Sequence, residues 1–294
     1  MANEDVGKLY PIAKKILTPT FRAAWKFQIE GLDHVPAQGG AILCPNHTSV
    51  LDSFFVPALL PRRVSYVGKA EYMDDWKTRA LFPALGMIPI DREGGDAAER
   101  ALATAQRCLE RGELFGIYPE GTRSRDGRLY RGHTGPARLA LRTGAPIVPI
   151  GISGAREVMP PDAKFPKLRL PVSIRFGRPI SVERYRDRAG DRLVLRQIID
   201  EVMYEIRELS GQEYVDEYAT KKKAAPVPTR QREATVPFVA DPVAAGNGTG
   251  NGNGNGNGAS GGRSALPEEG EFVEATTPRS SADLLKAPIR RSPS

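Results

Sequence analysis

The chain has 294 residues, 40% of them hydrophobic, which is enough for one α/β domain with an extension or for two small domains. Its formal net charge of +7 suits anionic partners, such as phosphate groups, nucleic acid or an anionic membrane face, without choosing among them. No stretch approaches the roughly eighteen apolar residues of a spanning helix, and the acidic start is unlike a signal peptide, so we expect a cytosolic protein. The distant Cys44 and Cys108 exclude a disulfide framework and a zinc pattern and predict two reduced, buried thiols.

Residues 1–26 predict an amphipathic helical segment. Its apolar residues recur at helical spacing, at Leu9, Ile12, Ala13, Ile16 and Leu17. Pro19 should end the helix, and Phe21 and Trp25 follow it beside basic residues. A basic amphipathic helix with nearby aromatic residues is typical of a bilayer interface. The alternative is a helix that packs on its own domain with a solvated basic face.

Residues 27–215 predict one α/β domain with a mixed sheet covered by helices, because short apolar runs alternate with helical stretches. The predicted strands are 41–44, 64–67, 87–90, 114–118, 147–152 and 172–176. The predicted helices are 95–111, 134–142 and 192–209. From residue 220 to residue 294 the chain is rich in Gly, Asn and Pro, which predicts a disordered tail.

One short segment carries the chemistry, with His47 and Asp52 between an apolar run and an apolar helical segment. Histidine titrates near neutrality, so it can take a proton from a hydroxyl, and a nearby carboxylate would orient the ring and stabilise its charged form. Five residues along one helix would point the two side chains about 140° apart, so the pairing requires His47 in the loop and Asp52 in the first helical turn. Ser49 and Asp52 also fit a helix-capping pattern, and the two roles are compatible.

Two further segments follow predicted strands and offer groups that bind anions. Arg92 presents a planar fork of donors that matches phosphate oxygens. In the second segment, Gly121 permits a close backbone approach and Glu120 can accept from a substrate hydroxyl. Its remaining side chains supply hydrogen-bond donors, at Thr122, Arg123 and Ser124. Taken alone, these segments are equally compatible with a surface ion pair and with a plain turn.

Together the segments resemble the four sequence blocks of the glycerolipid acyltransferase family, of the lysophosphatidate acyltransferase type. The first block is Asn-His-Thr-Ser-Val-Leu-Asp at residues 46–52, and the others follow in the family's order at residues 86–92, 115–124 and 147–150. The resemblance covers roughly residues 25–180. Pro89 stands where the family often has Phe, and Arg131-Gly132 stands where it often has Lys-Gly. These departures weaken any statement about the identity of the acyl acceptor.

The resemblance implies an O-acyltransferase that moves a fatty acyl group from acyl-CoA or acyl carrier protein to the free hydroxyl of lysophosphatidate in phospholipid synthesis. His47 is then the general base, Asp52 orients it, and residues 92 and 120–124 bind substrate. Lys69 matches a lysine-containing segment of the family and is expected near the catalytic centre. Neither a metal nor a cofactor is implied. The expected partners are the two substrates, a membrane surface and, where it is the acyl donor, acyl carrier protein. The expected location is the cytoplasmic face of the membrane, without a transmembrane helix.

Other readings use the same residues differently. The acceptor can instead be glycerol-3-phosphate or another lysophospholipid, His47 with water can hydrolyse a thioester, or the chain can be a non-catalytic lipid-binding scaffold. A serine esterase needs Gly-x-Ser-x-Gly, and Gly151-Ile152-Ser153-Gly154-Ala155 lacks the final glycine. Nucleic acid is not an expected partner, because the basic residues are dispersed and no recognition motif is present.

Overall fold

The computed structural model describes residues 10–69, 86–90 and 96–220, and only the backbone of residues 11–13, 68, 69, 89 and 90. A seven-stranded sheet lies at its centre, in the order β1-β8-β7-β2-β5-β3-β4. Its strands are β1 (Lys26–Glu30), β2 (Ala41–Pro45), β3 (Val64–Lys69), β4 (Met87–Ile90), β5 (Leu114–Gly116), β7 (Ile147–Ser153) and β8 (Pro171–Phe176). Two short strands, β6 (Leu129–Tyr130) and β9 (Tyr214–Val215), pair separately.

The five strands from β7 to β4 are mutually parallel, β8 runs antiparallel to β7, and β1 is parallel to β8. The sheet is therefore mixed, as predicted. Every residue of β2 is buried, because helices cover both faces of the sheet. The helices are α1 (Tyr10–Ala24), α2 (Asp52–Leu59), α3 (Ala97–Glu110), α4 (Gly135–Thr143), α5 (Ala155–Val158) and α6 (Arg192–Ser210).

The core has two parts, one on each face of the sheet. Side chains of α3, α4 and α6 form one apolar cluster, and side chains of α2 and α5 form the other with Trp25. Local signals set the ends of α6, since the Asp191 side chain accepts a hydrogen bond from the N–H of Leu193 and Gly211 closes the helix at φ 71°. Cys44 and Cys108 are both buried free thiols, as predicted.

The predicted strands and helices of the domain are confirmed to within two residues at nearly every end. The sequence analysis missed β1, β6 and β9. The predicted tail, residues 220–294, lies outside the described residues apart from Thr220.

The prediction that Pro19 ends the first helix was wrong, because α1 continues through it to Ala24. Contacts on both sides of the proline offset the backbone hydrogen bond that it removes. The hydroxyl of Thr18 donates to the carbonyl of Ala58 at 2.7 Å. The ring of Phe21 packs edge-on against Phe55, with centroids 5.9 Å apart.

The aromatic residues expected at a bilayer interface lie against the protein itself. Trp25 is only 6% exposed, and its indole N–H donates to the carbonyl of Lys167 at 2.8 Å. Its ring lies edge-on to Phe55 at 5.2 Å. The alternative of a helix packed on its own domain therefore describes this end of α1, although Ile16 remains 62% exposed.

Within residues 10–69, 86–90 and 96–220, no helix combines the length and the apolar character that crossing a membrane requires.

Candidate active site

The candidate site lies where the parallel strands end. His47 follows β2, and Tyr118 to Glu120 follow the neighbouring strand β5. In open α/β sheets, ligands bind outside the carboxyl ends of such strands. Backbone hydrogen bonds join the two segments directly, because the N–H of Ser124 donates to the carbonyl of His47 at 2.7 Å.

The structure brings His47 and Asp52 together. The Nδ1 atom of His47 lies 3.1 Å from Oδ2 of Asp52, with His47 in the loop and Asp52 at the first position of α2. The side chain of Asp52 is fully buried, and that of His47 is 14% exposed. This is the arrangement that the spacing required.

The same carboxylate oxygen also closes the turn before α2. Oδ2 of Asp52 accepts the backbone N–H groups of Thr48 and Ser49, each at 2.8 Å. Its other oxygen, Oδ1, is buried without a hydrogen-bond partner. One carboxylate oxygen therefore both closes this turn and orients the imidazole. The N-cap of α2 is Leu51, without a side-chain cap hydrogen bond, so the prediction that Ser49 caps the helix was wrong.

The carboxylate defines which nitrogen of His47 is free to act as a base. A carboxylate only accepts hydrogen bonds, so Nδ1 carries the proton that is donated to Asp52, and Nε2 keeps its lone pair. Within the described residues, no group forms a hydrogen bond with Nε2. Nε2 is therefore the nitrogen that can accept a proton from a substrate hydroxyl.

Tyr118 holds the plane of the imidazole, a role that the sequence analysis did not assign. Its ring stacks on His47 with centroids 3.8 Å apart and planes 15° apart. Its hydroxyl forms a 2.7 Å hydrogen bond with that of Ser53. Burial raises the pKa of Tyr118 well above its ordinary value, so the phenol stays neutral at physiological pH. Its position at the carboxyl end of the predicted strand 114–118 was the available signal.

Glu120 supports the backbone of His47. It is fully buried, and its Oε1 accepts the N–H of His47 at 2.9 Å while its Oε2 accepts the N–H of Tyr130 at 3.1 Å. The sequence analysis expected this carboxylate to accept from a substrate hydroxyl. Both oxygens are instead bonded to backbone groups, so the geometry makes Glu120 a positioning residue.

Burial also makes Glu120 sensitive to pH, because desolvation raises its pKa to about 8. Above the ordinary pKa of about 4.3, the unfolded chain releases a proton that the folded chain retains. This contribution to the free energy of unfolding is complete below that pH and is lost as pH rises towards 8. We therefore expect the free energy of unfolding of the wild type to fall, relative to that of Glu120→Gln, as the pH rises from 5 to about 8. Thermal unfolding of both proteins across this range measures the difference. A stability difference that stays constant with pH would contradict the prediction.

The turn after Glu120 explains two other predicted residues. Gly121 has φ 71°, and a Cβ there would lie 3.0 Å from the His133 ring, so the turn requires glycine. Ser124 uses its hydroxyl within the loop, donating to Asp126 at 3.1 Å and accepting from the N–H of Gly127 at 3.1 Å. Its N–H and hydroxyl are thus committed to shaping the loop.

Thr122 and Arg123 retain free donors. Both side chains are half-buried beside the His47 segment, and neither forms a hydrogen bond or an ion pair with any other residue that the structure describes. A half-buried guanidinium without an acidic partner is suited to an anion, because its planar donors match phosphate oxygens.

The two remaining predicted residues are located only by topology. Arg92 lies outside the described residues, two positions after the last residue of β4. Lys69 is the last residue of β3, where its backbone pairs with Ile90, and its side chain is not described. Because β3, β4 and β5 are parallel, both strands end at the same edge as His47.

Asn46 anchors the His47 loop to the next strand, another role that the sequence analysis left open. Its Oδ1 accepts the N–H of Ile152 at 2.7 Å, and its Nδ2 donates to the carbonyl of the same residue at 2.9 Å. Nδ2 also donates to Gln212 at 2.7 Å. These bonds fix the peptide that precedes the histidine.

Comparison with known proteins finds a family model that matches part of this chain. Residues 26–153 match the model of the family described as Acyltransferase. The matched range contains all four sequence blocks. Among curated proteins, a 1-acyl-sn-glycerol-3-phosphate acyltransferase of Limnanthes douglasii is 34% identical over 164 residues, which is 53% of this chain and 55% of the relative. The alpha enzyme of the same name from Homo sapiens is 29% identical over 133 residues, 45% of this chain and 47% of the relative.

The chain spans about half the length of the curated relatives it matches. Among solved structures, the 1-acyl-sn-glycerophosphate acyltransferase PlsC from Thermotoga maritima superposes with a TM-score of 0.53 at 22% identity. The alignment covers 67% of this chain and 75% of that one. The likeness is one of fold.

Proposed function

We propose that this chain, whose residues 26–153 match the family model described as Acyltransferase, transfers a fatty acyl group from a thioester to the free hydroxyl of lysophosphatidate, producing phosphatidate. The donor is acyl-CoA or acyl carrier protein. One observation carries the proposal, namely the 3.1 Å contact between His47 Nδ1 and a fully buried Asp52, with Nε2 left free. The names of the curated relatives, about half of whose length this chain covers, support the choice of acceptor.

In the proposed reaction, Nε2 of His47 removes the proton of the acceptor hydroxyl as its oxygen attacks the thioester carbonyl. Asp52 accepts the Nδ1 proton and stabilises the imidazolium that forms. The tetrahedral intermediate then collapses, the carbon–sulfur bond breaks, and His47 returns its proton to the departing thiolate. Both substrates bind together, so no acyl-enzyme is needed and proximity supplies much of the rate.

The acceptor is held by its phosphate. Arg123 and Thr122 lie next to the His47 segment and have no side-chain partner among the described residues, and Arg92 follows a strand that ends at the same edge. Anchoring the phosphate places the free hydroxyl of a glycerol backbone against Nε2. Lys69 or backbone N–H groups stabilise the oxyanion of the tetrahedral intermediate.

We place the enzyme peripherally on the cytoplasmic face of a membrane, where its lipid substrates reside. Arg62 and Arg63 follow the apolar segment of α2, and their side chains contact other parts of the protein. The guanidinium of Arg62 donates to three backbone carbonyls, those of Pro36, Gly39 and Gly112. Arg63 lies over the ring of Tyr10.

Thiol release from palmitoyl-CoA by the purified chain tests the proposed function. We expect release with lysophosphatidate, and much less with glycerol-3-phosphate, with other lysophospholipids or without acceptor. Release independent of any acceptor would indicate a thioesterase. A folded protein that is inactive with both CoA and carrier-protein donors would indicate the non-catalytic lipid-binding alternative.

A further inference from the structure

A basic and apolar loop stands on the surface between α5 and β8. Two of its apolar side chains point into solvent, with Phe165 82% and Leu168 63% exposed. Lys164, Lys167 and Arg169 alternate with them and are also exposed. Isolated exposed apolar side chains are common, but a cluster of them rimmed by polar residues marks a contact surface.

Hydrogen bonds hold this loop in one conformation against the end of α1. The N–H of Arg169 donates to the carbonyl of Ala24 at 2.7 Å, and the N–H of Lys167 donates to that of Val158 at 2.8 Å. The indole of Trp25 donates to the carbonyl of Lys167 at 2.8 Å. Arg169 has φ 62°, the only positive φ of a non-glycine residue within the described ranges. These hydrogen bonds therefore hold the loop backbone against the rest of the domain while Phe165 and Leu168 remain exposed.

A cationic cavity of about 500 Å³ lies beside the loop. Three exposed cations and three largely apolar side chains contribute to its lining, namely Arg22, Lys26, Arg169, Trp25, Phe27 and Ile29. Across the part of the chain that the structure describes, neither these three cations nor Lys164 and Lys167 form an ion pair. Cations without an ion-pair partner among the described residues, next to apolar side chains, match the phosphate and glycerol parts of a phospholipid.

The loop and the cavity lie at the same end of the strands as His47. Because β8 runs antiparallel to β7, its first residue lies near the carboxyl end of β7, and Lys26 of β1 pairs with that residue, Pro171. Three strand spacings separate β1 from β2, which is about 14 Å. The hydroxyl of Ser49 donates to the carbonyl of Met159 at 3.0 Å, joining the start of the loop to the His47 segment.

The exposed residues of the loop and the cavity form one surface, here called the docking face, which consists of Arg22, Lys26, Lys164, Phe165, Lys167, Leu168 and Arg169. We propose that it binds the surface of a bilayer that contains anionic phospholipid, which rests on the proposed function in that it places His47 beside the lipid substrates. Phe165 and Leu168 enter the headgroup boundary while the surrounding cations contact phosphates. An acidic protein partner would use the cations but leaves the two exposed apolar side chains unexplained.

Vesicle sedimentation of the full chain tests the apolar part. Vesicles of phosphatidylcholine with phosphatidylglycerol should bind the wild type far more strongly than phosphatidylcholine alone. The double variant Phe165→Ser/Leu168→Ser should lower the partition coefficient about tenfold or more. Both side chains are exposed, so the thermal midpoint should stay at its wild-type value.

A second pair of variants tests the charges without altering the loop's apolar residues. Arg22→Gln/Lys26→Gln removes two cations, and Arg169→Gly removes one while suiting its positive φ. Each cation lost should reduce partition about fivefold at low salt, with smaller differences at high salt.

The control is Leu193→Ser/Arg178→Gln, which removes one exposed apolar side chain and one exposed cation outside the docking face. Leu193 is 78% exposed, and Arg178 is exposed just beyond the last residue of β8. Its vesicle binding should equal that of the wild type.

Three results would overturn the docking face: unchanged partition in its variants, an equal loss in the control, or binding to an acidic carrier protein with none to vesicles. Because sedimentation is measured without an acyl donor, a wild type that binds vesicles through this face but transfers no acyl group would refute the proposed function alone.

Discussion

Replacing His47 with alanine should lower kcat by about 10³-fold or more while the protein stays folded. The variant loses the only group in the proposed mechanism that accepts the proton of the acceptor hydroxyl. The fold should survive because the contacts that hold this loop use the backbone of His47, whose N–H binds Glu120 and whose carbonyl accepts from Ser124. Losing the stacking contact with Tyr118 should cost about 1 kcal/mol of stability.

A second histidine provides a matched control for this experiment. Among the described residues, the side chain of His34 contacts one hydrogen-bond partner, the carbonyl of Phe176, 2.8 Å from Nδ1 and at the opposite end of the strands from His47. His34→Ala should cost about 1 kcal/mol as well, with kcat unchanged. Thiol release and thermal unfolding measure the two effects. An active His47→Ala protein, or an equal loss of kcat in His34→Ala, would show that His47 is not the base.

The sequence predicted the centre of the site because the relevant information is local. His47 and Asp52 are five residues apart, and a strand before them and a helix after them fix how they meet. The same holds for the central strands, whose continuous apolar runs follow from burial on both faces.

The support of the site could not be predicted in the same way. Glu120 reaches a backbone N–H 73 residues away, and it is burial that turns its carboxylate inward. The continuation of α1 through Pro19 depends on contacts of Thr18 and Phe21 with α2, which no local pattern reveals. Two-residue strands such as β6 and β9 are too short to show any periodicity.

Strand β1 is a different case, because its signal was present. Lys26-Phe27-Gln28-Ile29-Glu30 alternates polar and apolar residues, and the structure exposes and half-buries them in turn. The aromatic residues before it favoured an interfacial reading of the whole segment. The partner of β1 is β8, more than 140 residues later, so the pairing itself could not be read from the sequence.

Asp52→Asn and Asp52→Ala should differ from each other, because one carboxylate oxygen makes every side-chain hydrogen bond of Asp52 to the described residues. Asparagine can keep its carbonyl oxygen at the Oδ2 position, where it accepts from Thr48, Ser49 and His47. Its amide then occupies the position of Oδ1, which is buried and has no partner. We expect a stability loss of about 1–3 kcal/mol from that unsatisfied amide, with the loop and the imidazole tautomer retained.

The change in kcat of Asp52→Asn should then measure only the contribution of the negative charge of Asp52 to catalysis. A neutral amide oxygen still orients Nδ1–H but stabilises the imidazolium less, so kcat should fall about 10²-fold. Asp52→Ala also leaves two buried backbone N–H groups without an acceptor and frees the imidazole, so its kcat should approach that of His47→Ala. Steady-state kinetics, thermal unfolding and nitrogen NMR of the imidazole separate these effects. Equal activity of Asp52→Asn and wild type would mean that Asp52 only closes the turn before α2, whereas a changed tautomer in Asp52→Asn would contradict the contacts assigned to Oδ2.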